Sequence, residues 1–201
     1  MGEKELLQLN ELKKYSVKMR LAGENWDAEW KILVTIIMSA QSRDEITIKI
    51  AKNLFEKYDS LEKLSKAKYK SVLNIFKSLN YNKTKTKHII ACSKIIFEEY
   101  NSIPPHDFDK LISLPGVGRK TANVFLSEVG KSAIGVDTHV FYISRKLGWT
   151  KNKDIKKIET DLKNIFPKKK WSSINQILVR FGKTNTSKKK KDLLLEKIRK
   201  I

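Results

Sequence analysis

Residues 114–122 read Leu-Pro-Gly-Val-Gly-Arg-Lys-Thr-Ala, a glycine-rich hairpin that runs into a segment favouring helix. Two glycines two positions apart allow a tight turn and a close backbone approach to a ligand, and Pro115 stiffens the entry. The amides that open the next helix can meet a phosphate oxygen, and Arg119 adds positive charge there. A plain turn between helices would explain the glycines alone, but the full stretch of residues 114–122 is a more specific indication of a phosphate-binding hairpin. Its spacing differs from that of a nucleotide-binding phosphate loop.

The rest of the chain predicts an all-α protein. Glycine (8) and proline (4) are sparse, and no strand-like alternation persists. Ser42 and Glu45 match a capping box, with Ser42 as the N-cap of the third helix. Hydrophobic spacing and end signals predict helices near residues 4–19, 27–40, 43–58, 60–66, 68–78, 83–100, 107–113, 119–129, 138–147, 154–165, 172–182 and 188–199.

The charge balance indicates a polyanionic partner. The 201 residues include 42 lysines and arginines against 22 acidic residues, a formal net charge of +20 at pH 7. Nucleic acid is the usual partner of such a chain. A ribosomal or tRNA-associated protein, or a lysine-rich protein with no polyanion partner, would have a similar composition. One lysine run opens a helix, where the macrodipole disfavours cations, so it either faces phosphate or frays into solvent. This run consists of Lys188, Lys189, Lys190 and Lys191.

Cysteine and histidine usage argues against a metal site built from side chains. Cys92 is the single cysteine, so neither an intrachain disulfide nor a multi-cysteine site can form, and its helical context predicts a core thiol. His88, His106 and His139 lack the spacing of zinc ligands. No apolar run reaches membrane-spanning length, and the N-terminus does not resemble a signal peptide. We therefore expect an intracellular protein with no membrane partner.

Two residues near the hairpin could carry chemistry. Lys120 lies in the first turn of a helix, where the positive end of the dipole lowers the pKa of an amine. A neutral amine can attack an electrophilic sugar carbon and form a Schiff base. Asp137 precedes the next helix and could stabilise a cationic transition state or accept a proton. When each residue is considered alone, its commoner role is not catalytic. A lysine such as Lys120 more often contacts phosphate, and an aspartate such as Asp137 more often caps a helix.

Three segments together resemble a known family. Leu114–Ala122 and Val136–Val140 closely resemble the helix–hairpin–helix DNA glycosylase superfamily, specifically its endonuclease III branch. Ser39–Asp44 resembles that branch's Ser-Ala-Gln-x-x-Asp segment, and the similarity covers about residues 25–184. The resemblance implies two helical lobes with an active-site cleft between them. One lobe, residues 22–132, would contain the hairpin; the other would join residues 1–21 to residues 133–201.

The resemblance also implies an activity. The residue matching Lys120 attacks the anomeric carbon of a nucleotide flipped out of the duplex, and β-elimination then nicks the strand. Asp137 matches the residue that assists this lysine, and Gln41 the residue that fills the hole left by the flipped base. The matched hairpin holds DNA phosphate and comprises Leu114, Pro115, Gly116, Val117 and Gly118. In the family the hairpin carbonyls, here those of Leu114 and Val117, often bind a monovalent cation, Na⁺ or K⁺.

The resemblance therefore predicts a bifunctional DNA glycosylase and AP lyase. Its partner would be double-stranded DNA with a damaged base, an oxidised pyrimidine by preference, or an abasic site. We expect it to act as a monomer. Specificity for 8-oxoguanine or for mismatched uracil or thymine on the same scaffold is the near alternative. A catalytically silent helix–hairpin–helix DNA-binding protein is the distant alternative, and it would predict the loss of Lys120 or Asp137.

The chain departs from the family pattern in two places. Thr186 stands where the first cysteine of the branch's iron–sulfur cluster would be, and no cysteine follows, so we expect neither a cluster nor another cofactor. The last helix would pack in the place of the cluster, and its lysine run would supply the DNA contacts. The second departure is Asn80. At the matching loop position, relatives often carry a leucine that wedges into the duplex. Leu79, one position earlier, is the candidate substitute.

Overall fold

The computed structural model describes residues 2–201, and helices with one short 3-10 turn form all of its regular secondary structure, which confirms the all-α prediction. The helices are α1 (Glu3–Lys14), α2 (Glu29–Ser39), α3 (Asp44–Lys57), α4 (Leu61–Ser65), α5 (Tyr69–Ile75), α6 (Asn82–Glu99), α7 (Phe108–Ile112), α8 (Arg119–Glu128), α9 (Thr138–Leu147), α10 (Ile155–Ile165), α11 (Trp171–Thr184) and α12 (Lys188–Arg199). Within residues 2–201, no helix is both long enough and apolar enough to cross a membrane.

Helix α1 ends earlier than the sequence predicts. It stops at Lys14 rather than near residue 19. Beyond it, the Ser16 hydroxyl donates to the carbonyl of Leu12 at 2.7 Å, and the Val17 N–H donates to Thr184 Oγ1 at 2.9 Å. A partner so distant along the chain replaces the helical hydrogen bond, and local sequence gives no sign of it.

The chain divides into two compact units. The central unit is Arg20–Val129 and contains α2–α8; the terminal unit joins Met1–Met19 to Gly130–Ile201 and contains α1 and α9–α12.

The core of the central unit forms around α2. This helix packs against α3, α6 and α8, while α4 and α5 pack against α6. Ala122 and Phe125 of α8 are fully buried, as is Phe76 after α5. Burying a phenylalanine stabilises the fold by about 1.5–3 kcal/mol. The buried face of α8 therefore fixes the direction in which its first turn, and the hairpin before it, are presented.

The core of the terminal unit holds the C-terminal helix in place. Helix α12 packs against α9 and α1 and buries Leu195 and Ile198. Gln8 of α1 donates to the carbonyls of Ile198 and Arg199, each at 3.3 Å, and accepts from the Trp149 indole at 2.7 Å. One buried glutamine thus satisfies two carbonyls at the end of α12, where a helix has no partners of its own.

Polar contacts join α12 to α9 near its start. Asp192 accepts from the hydroxyl of Tyr142 and forms an ion pair with Lys146 at 3.1 Å. Burial and the neighbouring carboxylate raise the pKa of the Tyr142 hydroxyl to about 12, so it stays a donor at neutral pH. The C-terminal helix is thereby fixed by both apolar and polar contacts within its own unit.

Candidate active site

The predicted hairpin connects α7 and α8. The Val117 N–H donates to the carbonyl of Leu114 at 3.1 Å and closes the turn. Gly116 has a φ of +80°, and a Cβ at this position would lie 2.9 Å from the Cβ of His88. Both the left-handed backbone and the contact with α6 therefore require glycine here. The side chains of Leu114 and Val117 are buried and anchor the hairpin.

Gly118 presents open backbone at the start of α8. It is the N-cap residue, and a Cβ built on it would meet no atom within 4 Å. A glycine N-cap supplies no side-chain acceptor, so the first amides of α8 keep their capacity for an anion. This geometry suits close approach of a phosphate group. Arg119 directly follows, with its guanidinium carbon 4.8 Å from the ring centre of Phe108, so stacking orients its charge.

Lys120 is the second residue of α8 and is partly buried. The next residues on this helix, Thr121 and Ala122, are buried in the central unit. The backbone that carries the lysine is therefore held between the hairpin and the core. A nucleophile benefits from such rigid support, because misplacement of a reacting atom by even 1 Å lowers rates steeply.

Asp137 is the N-cap of α9, as predicted. Its carboxylate accepts from the Val140 N–H at 2.8 Å. The preceding residues Ile134 and Val136 are buried, which fixes the chain that enters the helix, and Asp137 itself is partly exposed. One oxygen is used by the cap, and the carboxylate has further lone pairs for a ligand.

Gln41 projects from a short loop, residues 40–43, which we call the Gln41 loop. Gln41 is exposed and has a φ of +54°, a left-handed conformation that is uncommon for a residue other than glycine. Its carbonyl accepts from Asn80 Nδ2 at 2.6 Å. Beside the loop lies an open cavity of about 480 Å³, lined by Gln41, Ser42, Arg43, Ile46, Ser78 and Asn80.

The capping-box prediction for Ser42 is wrong. Helix α3 begins at Asp44 with Arg43 at the N-cap, and no side chain caps it. The Ser42 hydroxyl instead accepts from Lys85 Nζ at 3.0 Å. A lysine from α6 thus uses the group that local sequence assigns to the helix start.

The structure also corrects the choice of Leu79 as a wedge. Leu79 is only 4% exposed and is one of the buried core residues of the central unit, so its side chain is not presented at the surface for a wedging role. Tyr81 is 64% exposed and has a φ of +56°. Tyr81 directly follows Asn80 in the sequence, but it is aromatic, whereas the family pattern has an aliphatic side chain as the wedge.

The lysine run opens α12, as predicted. Lys188, Lys189 and Lys190 are exposed, whereas Lys191 is partly buried, with its Nζ 5.6 Å from the ring centre of Tyr142. In the terminal unit this cluster and Asp137 are the predicted site residues. The central unit holds the hairpin, Lys120 and the Gln41 loop.

Side chains capable of metal binding do not cluster in the part of the chain that the structure describes: no three His, Cys, Asp or Glu residues come together. Cys92 is fully buried, as predicted, and burial raises the pKa of its thiol to about 12, so it is not a reactive thiolate.

Comparison with known proteins identifies a family for these features. A family model described as HhH-GPD superfamily base excision DNA repair protein matches residues 34–168, a range that includes Gln41, the hairpin, Lys120 and Asp137. Endonuclease III from Thermotoga maritima is 39% identical over 156 residues, covering 77% of this chain and 73% of that protein. Endonuclease III from Bacillus subtilis is 38% identical over 156 residues, covering 77% and 71%.

Solved structures show the same similarity in three dimensions. A trapped endonuclease III–DNA covalent intermediate superimposes with a TM-score of 0.82 at 30% identity, covering 93% of this chain and 89% of that one. A thermostable thymine-DNA glycosylase gives a TM-score of 0.82 at 17% identity, which shows a shared fold only.

Proposed function

The chain belongs to the HhH-GPD superfamily of base excision DNA repair proteins, and on this premise we propose that it is a bifunctional DNA glycosylase and AP lyase of the endonuclease III type. It binds DNA, and it removes oxidised pyrimidines from the duplex. The observation that carries the proposal is the position of Lys120. Lys120 lies in the first turn of α8. The N-cap of this helix is a glycine, and the hairpin before it leaves backbone open for the approach of a phosphate group.

We propose Lys120 as the nucleophile. Its neutral amine attacks C1′ of the flipped nucleotide, and the glycosidic electron pair leaves with the damaged base. The amine then loses a proton, O4′ gains a proton as the sugar ring opens, and a protonated imine forms between Nζ and C1′. Removal of a C2′ proton then expels the 3′ phosphate and breaks the strand. Water hydrolyses the imine and regenerates the lysine.

We propose Asp137 as the carboxylate that supports this chemistry. Capping of α9 holds it oriented, and it stabilises the positive charge that develops on the sugar as the base departs. It also accepts the proton that the attacking amine must lose.

The hairpin would hold the DNA backbone. The amides at the start of α8 and the charge of Arg119 bind a phosphate on one side of the lesion. The carbonyls of Leu114 and Val117 would hold a Na⁺ or K⁺ ion; the Leu114 oxygen already accepts from Val117 and has a second lone pair for an ion. Bound there, the ion would add positive charge for the phosphate.

We propose that Gln41, Asn80 and Tyr81 enter the duplex where the nucleotide leaves it. Gln41 fills the vacated space, and Asn80 supports its backbone through the 2.6 Å hydrogen bond. Tyr81 takes the wedging role that the sequence assigned to Leu79. An exposed aromatic ring can stack on a neighbouring base, which contributes about 1–3 kcal/mol.

Replacing Tyr81 with alanine should lower kcat/KM on a lesion duplex by about tenfold, because alanine has no ring to stack on a base. Thermal stability should stay unchanged, since the ring is exposed. Leu79→Ala should show the opposite pattern, with stability falling by about 2–5 kcal/mol as a core cavity forms. Ile103→Ala, another exposed residue of the central unit, is the control for both. A Tyr81→Ala variant with wild-type activity would remove the tyrosine from the mechanism.

We propose that the lysine run of α12 contacts DNA phosphates, in an enzyme that works without an iron–sulfur cluster. Lys188, Lys189 and Lys190 are exposed on a helix that Asp192 and the buried Leu195 hold in place, and Lys191 lies partly buried beside Tyr142. We propose that the protein acts as a monomer inside the cell, where its DNA substrate lies.

Changing Lys188–Lys191 to glutamine should weaken DNA binding and flatten its salt dependence. The slope of log K against log salt falls by about 0.9 for each phosphate that the protein no longer neutralises. The matched control changes Lys151, Lys153, Lys156 and Lys157 to glutamine, which removes the same charge elsewhere in the terminal unit. Fluorescence anisotropy at several salt concentrations measures both. Equal losses of affinity in the two variants would mean that only net charge matters.

A panel of lesion duplexes tests the proposed specificity. An oxidised pyrimidine such as thymine glycol should be excised and nicked fastest, compared with 8-oxoguanine and with G·U or G·T mismatches under single-turnover conditions. Faster excision of 8-oxoguanine or of mismatched bases would assign the enzyme to one of the alternatives. Binding without excision of any substrate would indicate the catalytically silent protein.

A further inference from the structure

The Gln41 loop is held from beneath by one buried lysine. Lys85 of α6 is only 5% exposed. Its Nζ donates to the carbonyl of Ala40 at 2.7 Å and to the hydroxyl of Ser42 at 3.0 Å. These acceptors flank Gln41, whose own carbonyl is held by Asn80. Three consecutive residues of the loop are therefore tied to α6 or to the segment before it.

The contribution of Lys85 to the stability of the fold does not explain why a lysine is buried at this position. Among residues 2–201, no carboxylate is paired with Lys85; its two partners are a carbonyl and a hydroxyl. Burial lowers the pKa of its ammonium to about 8, which reflects the unfavourable environment of the charge. A buried cation without a counter-charge is costly, and an apolar side chain of similar length would not carry that desolvation cost.

The loop needs such support. Gln41 adopts a left-handed backbone that a glutamine keeps only when its surroundings impose it. Gln41 is exposed, so burial of its own side chain does not anchor the loop. We propose that Lys85 is a positioning residue that fixes the Gln41 loop for insertion into the DNA duplex, an inference that rests on the proposed glycosylase function.

The role gives Lys85 a signature that a structural residue would lack. Insertion of Gln41 matters only where a base stack must be opened, so a duplex substrate depends on the loop. A single-stranded abasic site has no stack to open, and attack by Lys120 on it does not require the loop. Loss of Lys85 should therefore lower activity on the duplex substrate and leave activity on the single-stranded abasic site nearly unchanged.

Lys85→Met tests this separation. We expect an unchanged or higher melting temperature, a loss of about 10-fold to 100-fold in kcat/KM on a thymine-glycol duplex, and borohydride trapping within about twofold of wild type on a single-stranded abasic oligonucleotide. Lys94→Met makes the same charge change on the exposed part of α6 and should leave both activities unchanged. Equal activity of Lys85→Met and wild type on the duplex would overturn the proposal, as would an equal loss on both substrates.

Ser42→Ala provides a second measurement that does not remove the buried amine. It deletes one acceptor of Lys85 and should lower duplex activity by a smaller factor than Lys85→Met. In the Lys85→Met background, Ser42→Ala should have no further effect, because the two residues act through one hydrogen bond. Independent, multiplicative losses would contradict the proposal. Wild-type protein that neither nicks nor is trapped would refute the proposed function itself, not the role of Lys85.

Discussion

Lys120→Ala is expected to lower nicking of an abasic duplex by about 10³-fold or more, because removal of a nucleophile leaves only the contribution of binding. Base excision should fall with nicking, since both begin with attack by the same amine. DNA affinity should change by no more than a few-fold, because the hairpin amides and Arg119 remain. Single-turnover nicking and fluorescence anisotropy measure the two effects separately.

Lys153→Ala is the matched control for this variant. It removes the same charge from an exposed loop of the terminal unit and should behave like wild type. Substantial nicking by Lys120→Ala, at more than about a tenth of the wild-type rate, would mean that the lysine is only a phosphate contact and that another group attacks the sugar.

Asp137→Asn should slow base excision by about 10²-fold or more, the range of general acid–base contributions. Asparagine caps helices as well as aspartate does, so the hydrogen bond to the Val140 N–H and the start of α9 should persist. The substitution therefore removes the charge and the proton acceptor while keeping the fold. DNA affinity should be equal to or higher than that of wild type, because a negative charge near the phosphates is removed.

Asp154→Asn is a close control for this prediction. Asp154 caps α10 in the same unit, and its carboxylate accepts from the Lys157 N–H at 2.9 Å, the same geometry as at Asp137. The control variant should retain full activity and a similar melting temperature. If both variants lost activity equally, or if Asp137→Asn lost DNA binding, the assigned role of Asp137 would be wrong.

Much of the fold was predictable because its signals are local. The glycines of the hairpin mark the boundary between α7 and α8, and Asp137 occupies the N-cap that its position before an apolar-faced helix indicates. Helix periodicity likewise located α12, including the lysines at its start. Each of these features depends on residues within a few positions of one another.

Two of the failures share a physical cause, which is competition from a partner distant in sequence. Ser42 does not cap α3 because Lys85 binds its hydroxyl, and α1 stops early where Val17 bonds to Thr184. Residue type favours Leu79 as the wedge, whereas the structure buries Leu79 and exposes Tyr81. No local pattern distinguishes which of three adjacent loop residues faces the core, because tertiary packing decides it.

Borohydride reduction with an abasic-site duplex tests the lysine mechanism most directly. The imine formed during the reaction should be reduced to a stable amine, giving a covalent protein–DNA adduct. Peptide mapping by mass spectrometry should place the DNA fragment on Lys120, and Lys120→Ala should give no adduct. An adduct on a different amine, or efficient nicking by the wild-type protein with no adduct at all, would contradict a Schiff base on Lys120.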